Sequence, residues 1–299
     1  MKLAIVIPFY KLLFFEQTLV SLVSQTDKRF KVYIGDDASP EDCIPLIEKY
    51  SEQLDIAYHR FEENRGSTSL VAHWERCIAR IDEEEWMMIL GDYDTLEKNC
   101  IGAFYNYIEN FSMPLSTVIR FATREISADN KLLTSVFYHP DSEPSTNFLI
   151  RKLKKHTRSS LSEYIFSTKK YIQYKFKDFP LAWSSDDLAF LEFSDFGTIH
   201  TLNEAIANIR VSDLSISGRD DNSKLKEKAS YEFYSLLLSK YHDKFTYLEK
   251  EKIIQKIEAI FFKNKKFKTF ALLTGFHLNY MSPLSYFKFL RRIIINYKN

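Results

Sequence analysis

The chain has 299 residues, 45% of them hydrophobic and 27% charged, enough for one large domain or for a core domain with an appendage. Seven Gly and eight Pro exclude a low-complexity chain, and no apolar run nears the ~20 residues that span a bilayer. The net charge of +1 hides an asymmetry, since 16 basic and 6 acidic residues from Asn222 onward give +10 against −9 for residues 1–221, an acidic front that argues against nucleic acid as a partner.

Residues 3–8 are an uninterrupted apolar run closed by Pro8, which reads as a first strand buried on both faces, with Phe9, Tyr10 and Lys11 at its carboxyl end. Leu19, Leu22 and Val23 then recur at helical spacing within residues 15–25. A second strand at 31–34 closes on Gly35, Asp36 and Asp37. These acids read as site residues or equally as the start of the next helix, because Asp and Ser are good N-caps and Pro40 suits a first turn. A helix at 42–52, a short strand at 55–60 and a helix at 68–81 follow, with the turn Glu63-Asn64-Arg65-Gly66 placing Arg65 within reach of the same edge.

The stretch from Trp86 to Asp94 organises the rest. Five apolar residues without alternation predict a doubly buried strand, and Gly91 releases the chain into Asp92 and Asp94 at a carboxyl end, where open α/β sheets place ligands. Two carboxylates at i and i+2 leaving a strand can turn to one side and suit a hard divalent ion, Mg2+ or Mn2+. Three successive strands ending in polar residues imply a nucleotide-sized crevice along a parallel sheet with helices on both faces.

Further on, a helix is expected at 99–109, a strand at 117–123 and another, antiparallel, at 131–138. Residues 139–160, with two Pro and a basic cluster at 151–158, read as a helix plus a loop over the site for acceptor recognition, a surface helix being the alternative. Trp183 leads into Ser184, Ser185, Asp186 and Asp187, an acid pair at a helix start where capping and the helix dipole account for one acid more readily than for two. A strand beyond Leu202 ends in Arg210, Val211 and Ser212. From Asn222 the pattern turns helical and basic, and the aromatic-rich end with Lys268, Lys288, Arg291 and Arg292 suits either a helix on an anionic membrane surface or one packed on the core. Cys43, Cys77 and Cys100 fall at no metal or redox spacing. Buried structural thiols in a reducing cytoplasm are expected, at the inner face of the plasma membrane if the end of the chain docks there.

In this order, Val6-Ile7-Pro8-Phe9-Tyr10, Gly35-Asp36-Asp37-Ala38-Ser39, Asn64-Arg65-Gly66, Gly91-Asp92-Tyr93-Asp94 and Ser185-Asp186-Asp187 resemble the family 2 glycosyltransferases of GT-A fold, most of all bacterial enzymes that build cell-surface polysaccharides. The resemblance covers about the first 215 residues. It implies a Rossmann-like, mostly parallel central sheet flanked by helices in a catalytic domain of residues 1–221, with residues 222–299 as a helical extension. It implies an inverting, hexosyltransferase-like transfer from a nucleotide-sugar donor, UDP-linked, to a saccharide or lipid-linked acceptor. Pro8 and Tyr10 would border the base, Asp36 and Asp37 the base and ribose, and Arg65 the base or phosphates. Asp92 would contact ribose and metal, Asp94 the metal, and Asp187, or else Asp186, would be the general base. Ser212 stands where many members carry a metal-binding His.

No dinucleotide-binding, Walker or nucleophile-elbow motif occurs, and the seven His never fall within five residues of one another. Two competing readings use the same crevice: a nucleotidyltransferase, which would release pyrophosphate, and a non-catalytic nucleotide-sugar-binding subunit, which the missing His would suit.

Overall fold

The computed structural model describes residues 2–110, 116–212 and 221–298. Chain order in the first part is β1 (Leu3–Phe9), α1 (Phe15–Val23), β2 (Phe30–Asp36), α2 (Ile44–Tyr50), β3 (Ile56–Arg60), α3 (Leu70–Ile78) and β4 (Trp86–Ile89). The apolar run of β1 is buried on both faces: Leu3, Ile5, Ile7 and Phe9 pack with α1 and α2, while Ala4 and Val6 pack with α3. β1 pairs in parallel with β2 and β4, and β2 with β3. Each parallel pairing needs a crossover, which is why the helices alternate with the strands. Their carboxyl ends therefore share one edge.

The second part contributes β5 (Thr95–Leu96), α4 (Cys100–Asn110), β6 (Val118–Ile126), β7 (Ser142–Pro144), α5 (Ser145–Leu153), β8 (Tyr164–Ser167), α6 (Thr168–Tyr174), α7 (Ser185–Phe193) and β9 (Thr198–Arg210). The sheet runs β3-β2-β1-β4-β8-β6-β9-β5, with β7 on β9, and the parallel ladders hold most of its rungs. β8 inserts antiparallel to both neighbours, between β4 and β6. The strand expected at 131–138 is reduced to single bridges from Phe137 to Thr123 and from Leu132 to Ile126. Leu132 and Leu133 are exposed, so that stretch has no layer to cover it. All three cysteines are buried and free.

The chain continues as α8 (Ser223–Lys240), α9 (Tyr247–Asn264), α10 (Phe267–Tyr280) and α11 (Pro283–Lys298). These helices do not form a core of their own. Phe233 and Leu237 of α8, Ile253 and Ile257 of α9, Leu273 of α10 and Phe289 of α11 join the cluster that includes Leu188 and Phe190 of α7 and Val6 of β1. The expected boundary near residue 221 abuts residues 213–220, outside the described residues. Phe289 is fully buried and stacks on His277 at 4.9 Å, and His277 Nε2 lies 2.9 Å from Glu258 Oε1. Arg292 donates to both Glu258 oxygens at 2.7 Å, which ties α11 to α9. Phe289→Ala is expected to lower unfolding free energy by ~3–5 kcal/mol in a denaturant titration; an unchanged midpoint would mean that α11 is not docked as described.

Candidate functional site

Asp92 and Asp94 lie just past β4, where the chain leaves the sheet between β1 and β8. Asp92 Oδ2 accepts from the backbone N–H groups of Tyr10 and Lys11, both at 2.9 Å, so the exit of β1 is fastened to the exit of β4. Asp94 is more deeply set, at 2% exposed. Its Oδ1 accepts from the Arg210 N–H at 2.8 Å and its Oδ2 from Ser162 Oγ at 2.6 Å. Burial pushes the Asp94 carboxyl up to about 6 against the pull of those two donors, and burial raises Asp92 as well. A Cβ at Gly91 would lie 3.1 Å from Asp94 Oδ2, so a side chain there would press on that carboxylate.

The two acids line a cavity of about 420 Å³ together with Pro8, Tyr10, Asp37 and Ser162. That volume suits a small-molecule ligand. Asp37 accepts from the N–H groups of Arg65 at 2.9 Å and Gly66 at 2.8 Å and forms an ion pair with Arg76. It thereby holds the 64–66 turn against the cavity, and Gly66 permits the approach because a Cβ would meet Asp37 Oδ2 at 2.5 Å. Asp36 is not among the lining residues: its carboxylate accepts from Ser39 N–H and Tyr58 Oη, both at 2.8 Å, and from Arg60 at 2.6 Å. The Arg65 side chain turns to Glu63 at 2.7 Å. His73 also lines the cavity, with burial lowering its imidazole to about 4 and keeping it neutral at pH 7. A larger depression of about 900 Å³ at the opposite edge is lined by Lys2, Lys31, Asp82 and Glu83, charges that pair across the surface, and it gathers no set of buried acids.

Asp186 and Asp187 occupy the first turn of α7 and do not line that cavity. Asp187 is buried and ion-paired with Lys152 of α5. Asp186 is half-buried, and burial, then the charge of Asp187, pushes its carboxyl up to about 6. The approach to this pair is strained. Leu181, Ala182 and Ser184 all have φ between 54° and 70°, a region that costs a residue with a Cβ ~1–2 kcal/mol. Such strain is found where a loop must aim particular groups. α8 braces it, with Phe233 edge-on to Phe179 at 6.0 Å and Lys226 5.1 Å from the Trp183 ring.

The glycosyl transferase family 2 model matches residues 4–175, from β1 through α6, including Asp37, Asp92, Asp94 and Ser162. The chain belongs to that family. Among solved structures, S. aureus TarS 1–349 in complex with UDP-GlcNAc aligns with TM-score 0.64 at 14% identity, over 92% of this chain and 79% of that one. TarS 1–349 in complex with UDP aligns with TM-score 0.57 at 17% identity, over 91% and 83%. At these identities the likeness shows the fold, GT-A. No curated protein sequence matches.

Family 2 members commonly use a divalent ion. In this glycosyltransferase the donor set suits one: Asp92 and Asp94 are hard oxygen ligands whose raised pKa values report two charges held away from water, and neither is in a salt bridge among the described residues. No third His, Cys, Asp or Glu joins them among the described residues, and Mg2+ and Mn2+ commonly keep positions for water and phosphate.

Lys152 lies in the basic cluster at 151–158 and only the fold supplies its partner, whereas Ser162 and His73 carry no signal in the sequence and reach the site through the fold. Glu163 is another such residue. Its Oε2 accepts from the Ser160 N–H at 3.0 Å, closing a capping box on the turn that presents Ser162 to Asp94, while its Oε1 is buried without a hydrogen-bond partner among the described residues. Burial pushes its carboxyl up to about 7. A folded-state pKa above the unfolded one means the native state binds the extra proton, so stability falls as pH rises from about 4.5 to about 7. Glu163→Gln keeps the cap acceptor and should flatten that part of the stability-versus-pH curve, by on the order of 1–3 kcal/mol across the window; a slope identical to wild type would count against this placement of Glu163.

Proposed function

We propose that this family 2 enzyme is an inverting glycosyltransferase that moves a sugar from a UDP-linked donor to an acceptor hydroxyl of a saccharide or lipid-linked glycan, in bacterial surface polysaccharide synthesis. The observation that carries the reading is the buried Asp92 and Asp94 pair at the floor of a ligand-sized cavity, with Tyr10 at its rim. The TarS structures named above hold UDP-GlcNAc and UDP, which supports a uridine nucleotide here. Tyr10, at 37% exposed, offers a ring for the base, and Pro8 walls the same side. Asp37 acts by fixing the 64–66 turn beside the base and phosphates. Asp36 acts from behind, holding the 36–39 bend through Ser39.

A bound divalent ion, Mn2+ or Mg2+, would be held by Asp92 and Asp94 and would supply neutralisation of the departing diphosphate. Ser212 comes two residues after Arg210, whose N–H meets Asp94, so a hydroxyl stands near the position where many relatives carry a ligating His. The acceptor hydroxyl gives its proton to a carboxylate at the start of α7 as its oxygen attacks the anomeric carbon, and the bond to the nucleoside diphosphate breaks on the opposite face. Asp187 is the base by position in the motif. Its ion pair with Lys152 holds it in place, and the acceptor would have to share or displace that contact. Asp186, with its carboxyl raised to about 6, is the specific competitor for the role.

Two measurements test this. Asp187→Asn should bind donor nucleotide as wild type and turn over at least ~100-fold more slowly, with Asp186→Asn losing less than ~10-fold; the reverse ranking would move the base to Asp186, and two near-normal rates would remove the base from this turn. Calorimetric titration with a panel of nucleoside diphosphates, with and without Mn2+, should show metal-dependent binding of UDP that Asp94→Ala abolishes. Absence of any nucleotide binding by folded protein would favour a non-catalytic role.

A further inference from the structure

We infer that the outward face of α11 docks on an anionic lipid surface. The helix carries two apolar faces. Tyr286, Phe289, Leu290 and Ile293 pack inward against the common core. On the other side Leu284, Phe287, Ile294 and Ile295 remain exposed, at 62%, 65%, 59% and 49%. With a residue every 100°, these four share an arc of about 120° with Lys288 and Arg291. A helix on a water-facing surface normally presents its polar residues there. Four large apolar side chains on that arc form a patch that water alone does not account for.

The charge on the same part of the chain selects the occupant. Residues 259–299 contain eight Lys and Arg and not one Asp or Glu. The long stems of Lys288 and Arg291 let their charges reach phosphate headgroups while Phe287 and Ile294 enter the acyl boundary. A second copy of the chain fits poorly, because pairing two such arcs would bring like charges together with no acid between them. No helix among the described residues is long and apolar enough to cross a membrane, so α11 would lie along the surface. The inference stands independently of the glycosyltransferase reading.

Co-sedimentation of the full chain with vesicles tests it. Wild-type protein should pellet with vesicles of equal phosphatidylglycerol and phosphatidylcholine at least ~10-fold better than with phosphatidylcholine alone, and added salt should weaken the binding. Phe287→Glu combined with Ile294→Glu, at an unchanged thermal unfolding midpoint, should lose at least ~10-fold of that binding. Should that variant fail to fold, Lys288→Gln with Arg291→Gln, which alters charge alone, should still lose ~10-fold. Equal pelleting with both lipids, or full binding by the variants, overturns the proposal. So does a wild-type dimer that the first variant converts to monomer, which would give the face to a second copy.

Discussion

The burial of Asp94 is the constraint on which the rest of the site depends. A carboxylate removed from water must find donors, and here they come from two distant parts of the chain: the Arg210 N–H at the end of β9 and Ser162 Oγ in the turn before β8. The Arg210 side chain is itself buried and donates to Tyr93 O at 2.9 Å, Ser127 O at 2.7 Å, Gln17 Oε1 at 2.6 Å and Asn130 Oδ1 at 2.8 Å. One acid and one arginine thus lock four segments around the end of β4. The remaining penalty is visible in the raised pKa of Asp94.

The other acid pair is organised differently. Asp186 and Asp187 owe their position to a strained loop and to a helix start, and Lys152 of α5 neutralises one of them. Glu163 lies between the two regions, in the turn that serves Asp94, with Arg158 3.8 Å away.

The C-terminal helices belong to the same framework. α8 meets the loop that carries the acid pair through Phe233 and Lys226, and α9 to α11 extend the apolar layer outward from there. The two expectations for this region, packing on the core and facing an anionic surface, concern opposite sides of one helix. The inner side of α11 is packed; its outer side is the one left apolar and basic.

What the sequence determined by itself is what local pattern and strand polarity can carry. Unbroken apolar runs such as Leu3 to Ile7 and Trp86 to Leu90 specify doubly buried strands, and the acids after them must then emerge at one edge. Those runs, with the ordered motifs, were enough for the fold class, for the family, and for the meeting of Asp92 with Asp94. The tertiary structure alone decided the rest. β8 offers only a short apolar stretch, and its antiparallel place between β4 and β6 depends on long-range pairing that no periodicity encodes. Asp36 and Asp37 are neighbours in sequence, yet successive residues leaving a strand point to opposite sides, so one faces Tyr58 and Arg60 and the other borders the cavity. Ser162 sits in an unremarkable stretch and Lys152 in a basic cluster that names no partner, and both acquire meaning from the acids that packing brings to them. Hydrogen-bond partners and burial are properties of the assembled chain, and they set which of the legible acids stay charged, which are tied down, and which face a ligand.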